Sequence, residues 1–397
     1  MVRRRSCRVS LVFLSLTVFA ASLGCSSGGD DDGSGNQSNV NLYTAAAAIT
    51  ALTGAASSIP EQIFMTSGGG NLLVDAASRS ILAITSDGTP VPFTAGAVLA
   101  QLTGQPVSLG ALDELLAGTL LGHFLAADTN SGNIIDINPI GIPIIFSNKV
   151  AIGMLTGQTN VKMVLPRELT NNQIIAQDTF TSHIILFDPA GNPVQIFVDG
   201  TNLANLLGVS VPSAVAAGWE RSSQSQSLFA RFAATNAILR LQLNGGINLH
   251  VTPAALATLF PTITDLRVLD LAYDPTSDFL VLLIGAGARG VALAQVPAGS
   301  SAVLVLSSPD QIAAGAGQTV DLSDIEFLLG GALAAVDRGG AQVLAIGTGG
   351  AAFVVGRTSD IALAAGVQAP VLSLVSGTDH GTAAIAERSS GSLLQVR

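Results

Sequence analysis

Seven times along the 397-residue chain an apolar run reaches a fixed position, and a second apolar run begins six residues later. The pairs are Asp75 and Ile81, Asp128 and Ile134, Asp178 and Ile184, Phe232 and Ile238, Gly285 and Val291, Asp337 and Val343, and Glu387 and Leu393. A second echo runs in step with the first: TAAAAITALTG (44–54), TAGAVLAQLTG (94–104), SNKVAIGMLTG (147–157), VDGTNLANLLG (198–208), TPAALATLF (252–260), SPDQIAAGAG (308–317) and TSDIALAAG (358–366). Most copies open on Ser, Thr or Asp, which cap free backbone N–H groups, and most close on Gly; Pro253 and Pro309 sit where a helix can spare an N–H. Each copy therefore reads as a helix of about two turns. Before each stands a short β-like run: VNLYT, PVPFT, IPIIFS, PVQIFV, INLHVT, AVLVLSS and AAFVVG.

Adding a less regular strand ahead of each pair, such as LRVLDLAYD at 266–274, makes four strands per unit and a period near 50 residues. Such units stack face to face as blades of an all-β β-propeller. A β-helix needs shorter coils, and a helical solenoid needs a 3.6-residue period within the runs. The ends set the blade count. The chain stops at SLLQVR, inside a third strand, and it starts with VNLYT, a fourth strand without a blade. The N-terminal strand is thus expected to complete the last of seven four-stranded blades, with a short helix after each fourth strand, removing an exposed sheet edge.

The repeat resembles the NHL/YVTN and gluconolactonase-like group of propellers. The "A-D" ending of their second strand is similar to LLVDAASRSI and LAADTNSGNI, and LAYDPTSDFL looks like their first-strand opening. The resemblance spans residues 40–397 at the level of the repeat. WD dipeptides, kelch double-Gly motifs and sialidase Asp-boxes are absent. Likeness to gluconolactonases implies a funnel metal held by Glu, Asn and Asp from different blades, yet no segment here matches their site motifs.

Ahead of the repeats, MVRRRSCRVSLVFLSLTVFAASLGC has a basic start and an apolar run, residues 9–24, shorter than the roughly 20 residues a bilayer-spanning helix needs. ASLGC resembles the lipobox of bacterial lipoprotein signals, with Gly24 before the cleavage point and Cys25 as the residue that would carry lipid; Ser22 stands where such boxes prefer Leu. Residues 1–24 are then a signal peptide, and Ser26 rather than Asp after the cysteine favours the outer membrane. The Gly/Ser/Asp-rich stretch that follows, within residues 25–39, reads as a flexible tether spanning roughly 20 Å. With Cys7 removed and Cys25 lipidated, the mature chain has no thiol for a disulfide or a thiolate metal site. Loss of four Arg with the signal leaves a charge of (17 − 4) − 27 = −14, which argues against nucleic acid as a partner.

Asp75, Asp128, Asp178, Asp337 and Glu387 occupy matching places in five units. A ring of such carboxylates around a central funnel would suit a hard cation such as Ca²⁺. The simpler reading is that each accepts hydrogen bonds from its own following turn. Of the histidines, His183 and His250 read as strand-surface residues, while His123 and His380, the latter beside Asp379, lie just ahead of second strands. Phe93, Phe146, Phe197 and Phe353 fall on strands and are expected in the core. GWERSSQSQS, residues 218–227, combines Trp219 and Arg221 with a polar run and reads as a long turn or an exposed contact loop. No G-x-S-x-G nucleophile motif and no phosphate loop occurs.

The sequence therefore leads to an exported, lipid-anchored, monomeric propeller of the cell envelope, acting without catalysis as a binding or scaffold module for a protein or small-molecule ligand. It needs no cofactor and meets the membrane through its lipid. The competing expectation is a Ca²⁺-dependent hydrolase or lactonase using the funnel acids.

Overall fold

A computed structural model describes residues 39–397 apart from 69, 111, 117, 170–172, 223, 329–330 and 378–381. The signal segment, Cys25, the tether and the Asp379–His380 pair lie outside the described residues. The chain opens with β1 (Val40–Thr44) and α1 (Ala46–Thr53). Four-stranded units follow: β2 (Pro60–Met65), β3 (Asn71–Asp75), β4 (Ser80–Ile84), β5 (Pro90–Thr94), then α2 (Gly96–Thr103); and β6 (Asp113–Glu114), β7 (Phe124–Ala127), β8 (Ile134–Ile137), β9 (Pro143–Ser147), then α3 (Lys149–Thr156). The third is β10 (Met163–Glu168), β11 (Ile174–Asp178), β12 (Ile184–Phe187), β13 (Pro193–Val198) and α4 (Gly200–Leu207); the fourth is β14 (Gly218–Ser222), β15 (Ser227–Phe232), β16 (Ala237–Gln242), β17 (Ile247–Val251) and α5 (Pro253–Leu259). The fifth is β18 (Leu266–Asp274), β19 (Phe279–Ala286), β20 (Arg289–Pro297), β21 (Leu304–Ser307) and α6 (Pro309–Ala316); the sixth is β22 (Leu322–Phe327), β23 (Leu333–Asp337), β24 (Gln342–Ile346), β25 (Ala352–Gly356) and α7 (Thr358–Ala365). The last three strands are β26 (Leu372–Gly377), β27 (Ala383–Glu387) and β28 (Ser392–Val396).

Each unit is an antiparallel meander, and the fifth and sixth join into one sheet through a bridge between Gly290 and Leu322. The closing strand behaves as its sequence implied. β1 pairs antiparallel with β28, Val40 facing Val396 and Leu42 facing Leu394, and completes the sheet of β26, β27 and β28. The first strands of successive units pack beside one another, β26 meeting both β22 and β2, so these seven strands surround a common axis.

Burial follows from that stacking. Every residue of β3, β11, β23, β27 and β28 is buried, because middle strands have a neighbouring blade on each face. Ile175 and Leu186 of the third unit, for example, share one core with Leu228 and Leu239 of the fourth. Each helix fixes itself with one anchor, the fourth residue after its N-cap. Ile49, Leu99, Ile152, Leu203, Leu256, Ile312 and Ile361 are all fully buried, and each such side chain contributes about 1.5–3 kcal/mol. Six helices end on a left-handed glycine, and α5 ends instead on Phe260.

The helix starts correct part of the sequence reading. Asn148, Asp199, Thr252 and Ser308 cap their helices, but Thr44 and Thr94 do not. Their hydroxyls donate to the carbonyls of Gly88 and Gly141, in hairpins of the next unit. The first helical N–H is instead met from the start of a third strand: Ser392 Oγ accepts from Ala46, Ser80 Oγ from Gly96, Asn133 Oδ1 from Lys149 and His183 Nδ1 from Gly200, at 2.9–3.1 Å. Phe353, expected in the core, is exposed on β25.

Candidate functional site: the axial channel

First strands have one hydrogen-bonding edge turned to the axis, where no further strand can satisfy it. Side chains of the preceding blade do so. In five of these strands a β-bulge or register shift interrupts the ladder, and pairing resumes at Gln62, Arg167, Asp270, Asp324 and Val375. Bulges re-aim side chains, and the polar four, Gln62, Arg167, Asp270 and Asp324, each reach the next unit. Gln62 Oε1 accepts from Leu112 N–H at 3.2 Å, and Arg167 Nη2 donates to the Trp219 carbonyl at 2.9 Å. Asp270 Oδ2 accepts from Ile325 N–H at 3.2 Å, and Asp324 Oδ2 from Val375 N–H at 2.7 Å. Asp113 makes the same kind of link from the second unit, accepting from Glu168 N–H at 2.9 Å.

These latches bring a set of charges together at the axis. Arg167 forms an ion pair with Asp113, and Arg221 Nη1 lies 3.3 Å from Glu168 Oε2, which also accepts from Leu116 N–H. Around Arg167 stand Glu220 and Glu326, while Asp270 faces Arg231 and is bonded to Asp324. Desolvation pushes Glu220 up to about 7, against the pull of Arg167, with Asp270 and Asp113 adding to the rise. Desolvation likewise raises Glu326 to about 8, reinforced by Glu220 and Asp270. Glu326 is open to solvent along the lumen yet ringed by protein, so its charge is poorly hydrated. Asp324 is held well above the usual carboxylate range by burial and by Asp270, and Asp270 is raised by burial as well. Arg167 stays charged among these acids. The axial carboxyls thus outnumber Arg167, Arg221 and Arg231, and the excess is balanced by retained protons.

The five acids singled out in the sequence lie elsewhere, each bonded to its own surroundings. Asp75 accepts from the N–H of Ile59 and Ser78, Asp128 from Ser108, Asn130 and Ser131, and Asp178 from Lys162, Phe180 and Thr181. Asp337 accepts from Asp321 and Gly339, and Glu387 from Val371, Ser389 and Ser390. Each carboxylate ties its turn to the entry of the first strand of its own unit. Backbone and serine donors hold Glu387 below the usual range in spite of burial. Among the described residues no group of three or more His, Cys, Asp or Glu is placed to hold a metal.

Trp219 is not on an exposed loop. It lies in β14 and is buried in the core between the third and fourth units, while Arg221 of the same strand joins the axial charges. His250 is buried against the Phe229 ring, at 4.7 Å, and desolvation lowers it to about 4. His123 pairs with Asp136 at 2.8 Å, and His183 caps α4.

No protein-family model matches the chain, and no curated protein matches it in sequence. Solved structures do resemble it in fold. A catalytically inactive virginiamycin B lyase from Staphylococcus aureus, solved with quinupristin, is 11% identical with a TM-score of 0.54 over 85% of this chain and 94% of that one. YCF48 bound to D1 peptide is 12% identical with a TM-score of 0.57 over 90% and 95% of the two chains. The WD40 propeller domain of Doa1 is 11% identical with a TM-score of 0.53 over 90% and 96%. At such identities the likeness establishes the β-propeller fold and nothing finer.

Proposed function

We propose that the protein is a lipid-anchored binding or scaffold module of the cell envelope, held through Cys25 at the outer membrane and receiving a protein partner on the rim of its ring. The observation that carries this reading is the outer hairpin of the second blade. Ile140, Ile142 and Ile144 are 77, 54 and 54% exposed within five residues, and Ile144 lies on β9, the free edge of its sheet. Apolar side chains clustered on an unpaired edge suit an added strand from a partner. The polar groups at the axis support the same reading, since most of them hold blades together. A propeller of similar fold, YCF48, has been solved with a bound peptide. The hydrolase alternative draws no support from acids already bonded to their own turns.

The reading is tested by placing a photo-crosslinking residue at Ile142, with exposed Leu363 of α7 as the control site, in cells that make the protein. A discrete crosslinked product at Ile142 that disappears with Ile144→Lys supports it; equal labelling at both sites overturns the rim assignment. Mass spectrometry of the mature N-terminus tests the anchor, with a diacylated Cys25 expected and an unmodified or uncleaved terminus contradicting it.

A further inference from the structure

Four residues before the fixed acid position, the second strand of each unit enters its sheet. Six units place an apolar residue there: Phe124, Ile174, Leu228, Val281, Leu333 and Ala383. The first unit places Asn71. This asparagine is 1% exposed, paired in the ladder with Met65 and Ile84, and neither its carboxamide nitrogen nor its oxygen has a hydrogen-bond partner among the described residues. An unpaired buried amide is costly. A single polar departure at a position the repeat otherwise keeps apolar calls for a ligand-side explanation.

Asn71 also lines an open cleft of about 450 Å³ between the first and second blades, within the range of about 300–1,000 Å³ typical of small-molecule sites. Its walls include Leu72, Ile84, Phe93 and Phe124, the two rings meeting edge to face at 5.6 Å. Glu114 closes the rim by accepting from Ser67 N–H and Oγ, both at 2.6 Å, which joins the two blades across the opening. We propose that this cavity binds a planar, uncharged molecule with a cis-amide edge, of the lactam or imide class. Its N–H and C=O pair with the Asn71 carboxamide while its ring lies against the phenylalanines. Both amide atoms lie beneath the cavity wall, so binding requires the side chain to turn toward the ligand. A carboxamide matches that donor–acceptor edge in the same bidentate manner that reads adenine. The site is separate from the axial channel and the second-blade edge, and it does not rest on the partner assignment above.

The probe is 2-quinolone, titrated into the purified protein by calorimetry and ligand-observed NMR, with N-methyl-2-quinolone as the analogue lacking the N–H donor. The expected result is saturable binding of 2-quinolone, at least tenfold weaker binding of the N-methyl analogue, and at least tenfold weaker binding of 2-quinolone by Asn71→Leu. That substitution restores the apolar residue of the other blades and should raise the melting temperature. Should Asn71→Leu fold poorly, Asn71→Ala serves in its place. No saturable binding by the native protein, equal binding of the two quinolones, or unchanged binding by the Asn71 variant overturns the proposal. The first outcome, joined to a raised melting temperature for Asn71→Leu, assigns the amide to a buried water.

Discussion

Asp270 and Asp324, on first strands of adjacent blades, share a hydrogen bond between their carboxyl groups, and each also accepts a backbone N–H from the blade that follows it. Two carboxylates in contact cannot both be ionised cheaply, so the pair keeps a proton where an isolated aspartate would lose it. The latch between blades is therefore built from a partly neutral pair, with raised Glu220 and Glu326 beside it.

Stability is expected to fall as pH rises from about 5 to about 9. The unfolded chain releases its carboxyl protons near the ordinary value of 4.5, whereas the folded chain holds those of Glu220 to about 7 and Glu326 to about 8. Across that window the native state binds more protons, so raising pH favours unfolding. The effect is on the order of 2 kcal/mol, mostly from Glu220, since Glu326 faces lumen solvent and is partly screened. Thermal melts of the protein and of Glu220→Gln/Glu326→Gln check this. The native melting temperature should drop by several degrees between pH 5.5 and 8.5, and the double variant should flatten the slope. A native melting temperature that is constant or rises over that range contradicts the charge arrangement.

Deleting residues 40–44 should destabilise the entire ring. Without β1 the last sheet loses the ladder from Val40–Val396 to Thr44–Leu393, and Ile49 loses the strand that leads its helix into the core. The expected outcome is a strongly lowered or broadened melting transition, with Leu42→Lys, at an exposed position of the same strand, nearly neutral. An unchanged transition after the deletion would mean that the ring closes without the N-terminal strand.

The repeat is legible because stacking imposes the same burial on every blade, so the six-residue offset and the closing strand show in the sequence alone. Long-range pairings do not. Thr44 and Thr94 look like helix caps locally, but a hairpin carbonyl of the neighbouring blade claims each hydroxyl. Trp219 is followed by polar residues and so reads as exposed; on a strand alternate side chains part, so Trp219 and Arg221 turn to the third unit, Trp219 in its core and Arg221 on Glu168, while Glu220 points the other way. The axial carboxyls form no visible motif because each sits in a different local phrase: LDEL, PRELT, GWERS, VLDLAY and LSDIEF. The signal available was their spacing, since Asp113, Glu168, Glu220, Asp270 and Asp324 recur at roughly the blade period.

Asp178→Ala should cost about 3 kcal/mol or more, because it strands the N–H groups of Lys162, Phe180 and Thr181 that now share one buried carboxylate. Asp178→Asn keeps one acceptor oxygen and should lose about half as much. Urea unfolding checks the order, and the same melts run with Ca²⁺ test the metal alternative. A Ca²⁺-dependent rise in the native protein that vanishes in Asp178→Asn would return these acids to a metal-binding role.

Two glycines with similar backbone angles should respond very differently to alanine. Gly54, at φ +71°, ends α1 with open space around its missing Cβ, so Gly54→Ala bears only the left-handed penalty of about 1–2 kcal/mol. Gly141, at φ +82°, presses against the outer strand of the first blade, where a Cβ would lie 1.9 Å from the Phe93 carbonyl oxygen. Its own carbonyl accepts the Thr94 hydroxyl at 2.9 Å, so the hairpin cannot retreat without breaking that bond. Gly141→Ala is expected to cost about 3–4 kcal/mol, combining backbone strain with overpacking. Urea midpoints of the two variants measure the difference. Equal losses would mean that this hairpin can move away from the blade it touches, and that the contact between the first and second blades is looser than the geometry requires.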